Sequence, residues 1–224
     1  MSIVAALCLA DGIILAADSR LTICMKQADG SIIKKYNDNA IKVYRMKNKD
    51  IGILWCGDYK VGNLSIPQFM EFFGDKVCRE DSIETVANKL NRYCKGNYRE
   101  EILWLIAGYS DGEQYLYEVA DDIVKRKNLM PNGYPGIGLT WEGEINISHK
   151  IINDDIPLKV NGKYLRGSDM PKMSLEDGIA FAKELLLQTC NEHDGCGGSI
   201  DVLVIRSDGI EWMEQKEAKE IPEI

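Results

Sequence analysis

The sequence predicts a single α+β domain, and three observations carry that reading. The chain opens with paired strand-like runs punctuated by Asp-Gly, changes twice to helical spacing, and returns to strands around one long capped helix. Antiparallel hairpins with helices laid over sheet faces follow from that order. With 224 residues, 45% hydrophobic and 28% charged, the chain is large enough to bury a substantial core without disulfide staples. Neither an internal repeat nor a Pro- or Gly-rich linker divides it, so residues 1–224 are expected to form one domain with an acidic tail frayed from about 214 onward.

Ile3 to Leu9 and Ile13 to Ala17 read as two strands joined at Asp11-Gly12, a two-residue hairpin signal. Asp29-Gly30 marks a second hairpin, and Ile41 to Met46 with Ile51 to Trp55 a third. Ile66, Phe69, Met70, Phe73 and Val77 then recur at helical spacing, as do Ile83, Val86, Ala87 and Leu90 behind the cap residue Ser82. Ile102 to Ala107 and Gln114 to Val119 return to strands across the turn "YSDGE". The Gly- and Pro-rich "MPNGYPGIG" and the polar stretch through Pro171 are expected to be irregular. Ser174 with Asp177 caps a long helix on which Ile179, Ala182, Leu186 and Thr189 or Cys190 repeat. Ile200 to Ile205 and Gly209 to Met213 make the last hairpin.

Composition removes several function classes. Net charge is -8 and the 27 basic residues are scattered, which disfavours nucleic-acid binding. The one basic run, Lys125 to Lys127, lies beside the turn-forming "MPNG" and is read as a solvated turn. Seven cysteines with no Cys-x-x-Cys pair suggest reduced thiols and a cytoplasmic protein. Cys190 and Cys196, with only His193 between them, lack the second pair that a zinc site needs, so neither metal nor cofactor is expected. No cationic leader or long apolar run predicts a secretory signal or a membrane span.

The chemistry is constrained by having two histidines, His149 and His193, neither beside a Gly-x-Ser-x-Gly elbow. A phosphate-loop motif is absent, and "GIGLTW" lacks the last glycine of the dinucleotide fingerprint. One nucleophile dispenses with histidine: an N-terminal hydroxyl residue whose own α-amine is the base. Such an amine titrates at about 7.7–8.0, so a useful fraction is neutral near physiological pH. Ser2 is one Met removal from that state.

The stretch Gly12 to Thr22, "GIILAADSRLT", gives this option weight. Together with Ser2 it resembles the signature of proteasome β subunits and bacterial HslV peptidases, in which the strand after the nucleophile ends in Ala-Ala-Asp-Ser-Arg. "AIKVYRMKNKDIGILWCGDYKVGN" resembles the family's lysine strand and the glycine that follows it. "ILWLIAGYSDGEQYLYEV" is similar to its central hairpin, and "MSLEDGIAFAKELLLQTCNEHDGCGGSIDVLVIRSDGIEW" to its long helix, acidic loop and last hairpin. The likeness spans nearly the whole chain, with insertions around "MKQADGSIIKKYND" and between Glu142 and Lys172.

The resemblance implies a four-layer αββα sandwich and a homo-oligomeric peptidase acting on peptides or unfolded proteins, with an unfoldase as a possible partner. It implies that Ser2 is the nucleophile, that Lys42 lowers the pKa of its amine and hydroxyl, and that Asp18 holds Lys42. It places Gly57 at the oxyanion position and Asp194 as support for the N-terminus. Leu21, Ala40, Tyr44, Trp55 and Tyr59 fall on the substrate pocket, implying a bulky or apolar preference. Ile137 and Gly197 stand where the family carries serines, and serine replaces its usual threonine nucleophile. Two alternatives stay open: a catalytically silent subunit of the same fold, and an N-terminal nucleophile amidohydrolase acting on a small molecule.

Overall fold

The computed structural model describes residues 2–47, 49–95, 101–153 and 155–217, with Ile145 described by its backbone alone. The chain is mixed α+β and its sheets are antiparallel. In order it forms β1 (Ile3–Leu9), β2 (Gly12–Ala17), β3 (Leu21–Lys26), β4 (Ile32–Asn37), β5 (Val43–Arg45) and β6 (Ile51–Gly57). A small hairpin, β7 (Lys60–Val61) and β8 (Leu64–Ser65), leads into α1 (Ile66–Gly74) and α2 (Ile83–Cys94). Then come β9 (Ile102–Ser110), β10 (Glu113–Ala120), β11 (Ile123–Arg126), β12 (Gly138–Gly143) and α3 (Ile145–Asn153). The chain continues through β13 (Leu158–Val160), β14 (Lys163–Leu165), a 3-10 turn (Gly167–Lys172), α4 (Leu175–Glu192), β15 (Asp201–Arg206) and β16 (Gly209–Glu214).

Two five-stranded sheets dominate, ordered β12-β1-β2-β15-β16 and β11-β10-β9-β6-β5. Strands β1, β2, β6 and β15 read as near-continuous apolar runs because both faces are covered, and alternate residues go to different clusters. Ile3, Ala5, Leu7 and Leu9 of β1 pack with Ile14 and Ala16, Val202 and Val204, and with Phe181, Leu185 and Leu186 of α4. Val4, Ala6 and Cys8 share a second cluster with Leu15, Leu203, Leu54, Cys56 and Leu105, so these faces of the two sheets meet. Ile51, Ile53, Trp55, Trp104 and Ile106 pack against Phe69, Phe73, Val86 and Leu90 of α1 and α2. No described helix is long and apolar enough to cross a membrane.

The predicted hairpins are present, with differences that have physical causes. The first turn is Ala10 and Asp11, since Gly12 already pairs with Leu9. Gly12 has no positive φ; an added Cβ would instead lie 3.0 Å from the Ile205 carbonyl oxygen, so its bareness serves close approach. At Asp111 and Gly112, by contrast, φ values of 51° and 76° make the left-handed turn that suits a tight hairpin. The basic run is not a solvated turn. Lys125 and Arg126 end the edge strand β11, where Arg126 binds Glu113 at 2.5 Å and lies over the Tyr115 ring, and Lys127 binds Glu118 at 2.6 Å. Charged pairs on an edge discourage further strand addition.

The stretch expected to be irregular holds β12, α3, the β13–β14 hairpin and the 3-10 turn. Its order comes from tertiary contact: Ile151, Leu158, Val160 and Met170 all join the cluster under α4. The tail is anchored where its fraying was expected to start, since β16 runs to Glu214. The Lys216 amide donates to Asp201 Oδ1 at 2.8 Å, and its ammonium group donates to the Ala40 carbonyl. Residues 218–224 of the expected frayed tail lie outside the described residues.

Candidate active site

The candidate site gathers at one end of the first sheet, where β1 begins and β2 ends. Ser2 is buried, with 6% of its surface exposed, and the peptide unit that follows it is fixed at both ends. Its carbonyl accepts the Glu144 amide at 2.7 Å, while the Ile3 amide donates to Asp18 Oδ1 at 2.9 Å. Gly143, just before Glu144, has a φ of 104°, and a Cβ there would sit 2.0 Å from the Ser2 oxygen. Only glycine lets the β12 end lie this close to Ser2.

Asp18 is the hub. It has no exposed surface and accepts from Ile3, from Lys42 Nζ at 2.6 Å, from the Gly197 amide at 2.9 Å and from the Arg20 amide at 3.2 Å. Lys42, equally buried, gives its remaining mapped bond to the Arg20 carbonyl at 2.6 Å. An ion pair withdrawn from water survives only when its other lone pairs and protons are satisfied, and the carboxylate here meets four donors. A side chain ending β2 and one entering β5 thus converge at the start of β1, where Asp18 takes the Ile3 amide, because their two sheets pack face to face.

Arg20 ties the surrounding loops together. Its guanidinium forks onto Asp38 at 2.7 and 2.8 Å, donates to the carbonyls of Asp194 and Cys196, and lies over the Tyr36 ring. The hydrogen bonds from Arg20 hold the Asp38 carboxyl below the usual carboxylate range, against a partly opposing burial. Gly197 lies beneath this guanidinium, and a Cβ there would meet Arg20 Cζ at 2.6 Å.

Gly57 ends β6 with a φ of 113°, and a Cβ would lie 2.0 Å from the Glu101 carbonyl oxygen. Asp194 sits in the α4–β15 loop with its side chain exposed, while its carbonyl takes Arg20 Nη1 at 3.0 Å. Of the expected pocket residues, Tyr44, Trp55 and Tyr59 come together: the Trp55 and Tyr59 rings are 6.1 Å apart, and both tyrosines border the cluster containing Trp55. Trp55 is fully buried with Nε1 on the Ile41 carbonyl, so its indole fills this space. Burial, with the neighbouring Tyr59, pushes the Tyr44 phenol pKa well up, and its hydroxyl has no protein partner among the described residues. Leu21 and Ala40 are buried beside the Arg20 segment, where the Ala40 amide donates to the Ser19 carbonyl.

The thiols around the site are poor competitors as nucleophiles. Burial pushes Cys56, Cys190 and Cys196 up to about 12, with Glu142 adding to the effect at Cys56 and Asp18 at the other two. No group of three or more metal-ligating side chains is poised for an ion among the described residues.

Glu144, whose amide holds Ser2, gave no signal in the sequence reading, whereas Arg20 stood at the end of the Ala-Ala-Asp-Ser-Arg stretch without its lacing of the loops being expected. Neither a protein-family model nor a curated protein sequence matches the chain.

Proposed function

We propose that the chain is an N-terminal nucleophile hydrolase of the proteasome β/HslV kind, a homo-oligomeric peptidase whose nucleophile is Ser2. The observation that carries the reading is the fully buried Lys42–Asp18 pair at 2.6 Å, with the same carboxylate bonded to the peptide unit that follows Ser2. A buried lysine paired with a carboxylate and a serine with both ends of its next peptide fixed are what an α-amine-activated hydroxyl requires. The three apolar clusters support the four-layer αββα sandwich that belongs to this reading.

Once the bond before Ser2 is cut, its neutral α-amine takes the hydroxyl proton as Oγ attacks a peptide carbonyl. The C–N bond then breaks, the proton passes to the departing amine, and water hydrolyses the ester left on Ser2. The positive field of Lys42 favours the neutral amine and the forming alkoxide. The backbone amide at Gly57 is the proposed donor to the oxyanion.

A second reading, a silent subunit of the same fold, draws on Gly197 and Ile137. Gly197 offers Asp18 an amide but has no hydroxyl, and Arg20 fills the space where its side chain would stand. Intact mass before and after a peptide epoxyketone separates the two, because the probe needs a free α-amine and its adjacent hydroxyl. The peptidase reading expects protein beginning at Ser2, one adduct per chain, and none on Ser2→Ala. Folded protein beginning at Ser2 that takes no adduct overturns it in favour of the silent subunit.

A further inference from the structure

Glu144 and His193 form a link that the Lys42–Asp18 chemistry does not use. Glu144 follows β12 and is 5% exposed; its amide holds the Ser2 carbonyl, and its Oε1 accepts from the Asn146 amide and side chain. Its Oε2 lies 3.4 Å from His193 Nε2, across the gap between the β12–α3 turn and the α4–β15 loop. The other ring nitrogen, Nδ1, accepts the Gly195 amide at 3.0 Å. Two residues on, the Gly197 amide reaches Asp18. A closed circuit therefore runs from Ser2 through Glu144, His193 and Gly195–Gly197 to Asp18, and from Asp18 back to the Ile3 amide.

We infer that Glu144 and His193 are a positioning pair which holds the Gly195–Gly197 loop against Asp18, and that the pair works only while His193 is neutral. Nδ1 can accept from Gly195 only if it carries no proton, which places the single imidazole proton on Nε2, facing Glu144. A second proton on the ring ends the Gly195 bond and draws the imidazolium to the Glu144 carboxylate. Protonation thus keeps one side of the link and frees the Gly195 amide, loosening the His193 end of a loop that Arg20 and the Ser19 amide hold at the Asp194, Cys196 and Gly197 carbonyls. With both nitrogens engaged, His193 does not serve as a base for Ser2. Besides Glu144, the charged and titratable groups around His193 among the described residues include those sharing its cavity of about 460 Å³, namely Cys24 on β3, Lys34 and Tyr36 on β4, Glu192 at the end of α4, and Asp194, together with Arg20, whose guanidinium reaches the carbonyls of Asp194 and Cys196.

The consequence for catalysis rests on the peptidase reading, but the link itself does not, so the test reads both. Amide hydrogen exchange at Gly195 and Gly197, corrected for the intrinsic pH dependence, is followed across the titration of His193 measured by its own imidazole resonance. Losing one hydrogen bond corresponds to a fall in protection of roughly two- to tenfold on the acid side. His193→Asn supplies an amide oxygen that can accept from the residue two along at any pH, so protection persists and its pH dependence vanishes. His193→Leu loses protection throughout. Epoxyketone adduct formation, run in parallel, slows on the acid side in the native chain by more than the α-amine titration alone accounts for, and His193→Asn removes that excess. Protection that stays flat across the His193 titration, or that His193→Leu leaves intact, overturns the positioning pair even if adducts form. Protection that follows His193 in a chain taking no adduct at any pH upholds the pair and overturns the peptidase reading.

Discussion

Asp18 and Lys42 are both without solvent contact, yet they are not equivalent partners. The carboxylate also serves three backbone amides, those of Ile3, Arg20 and Gly197, whereas Lys42 adds only the Arg20 carbonyl among the bonds mapped for its ammonium. Breaking a buried pair by removing one member costs about 3–5 kcal/mol, because the other is left charged in a medium that solvates it poorly. Lys42→Met is expected to fall in that range, since the stranded carboxylate keeps its three amides. Asp18→Ala is expected to cost more, because it strands a buried cation together with those amides. Urea unfolding of the two variants checks the order; an equal or smaller loss for Asp18→Ala would show that the pair, and not the carboxylate as hub, holds this end of the sheet. These two residues were legible through the resemblance of "GIILAADSRLT" and the lysine strand to a known family's pattern; an acid ending an apolar run and a lysine in a strand would not by themselves have marked a pair. Glu144 and His193 were not, because their link exists only once β12 and the α4–β15 loop are brought beside Ser2, and neither side chain stands in a local motif.

Among the elements, α4 shows how far a local signal reaches. Ser174 Oγ accepts the Asp177 amide at 3.2 Å, and Glu176 and Asp177 place negative charge in the first turn, where the helix dipole favours it. Ser174→Ala is expected to destabilise the protein by about 1 kcal/mol, and Ser174→Asp to restore most of the loss, both read from the midpoint of chemical unfolding. Loss well under half that value would mean that packing of Phe181, Leu185 and Leu186 alone holds the helix start. The same kind of signal located α2 behind Ser82, and hairpin pairing located β1–β2, β9–β10 and β15–β16. β11, β12, α3 and the β13–β14 hairpin escaped because their sequences are short, polar or rich in glycine. β12 takes its order from pairing along β1, from Ile3↔Gly143 to Cys8↔Gly138, and that partner lies far away in sequence. Short strands of this kind are specified by what they pair with more than by their own composition.

For the molecule as a whole, charge couples stability to pH in two opposing ways around the site. The Asp38 carboxyl is held low by hydrogen bonds from Arg20, with burial opposing, and this pair joins the β4–β5 segment to the end of β2. A carboxyl whose folded pKa lies below its unfolded value of about 3.9 stabilises the fold above that value. Its contribution disappears as pH falls through the lower folded pKa. Glu142, half-buried on β12, is shifted the other way, first by burial and then by the charge of Glu118, with Lys127 partly offsetting both. Between its unfolded and raised folded pKa the native state binds the extra proton, so this group's contribution becomes more favourable as pH falls through that window and is a cost above it. Asp38→Asn should therefore weaken the protein at neutral pH and flatten the decline of its unfolding free energy toward acid. Glu142→Gln should strengthen it at neutral pH and converge with the native chain once both carboxyls are protonated. Urea unfolding at intervals from pH 7 to pH 3 reads both slopes. Variants that move in the same direction would mean that the packing or hydrogen bonds changed at these positions outweigh their charge.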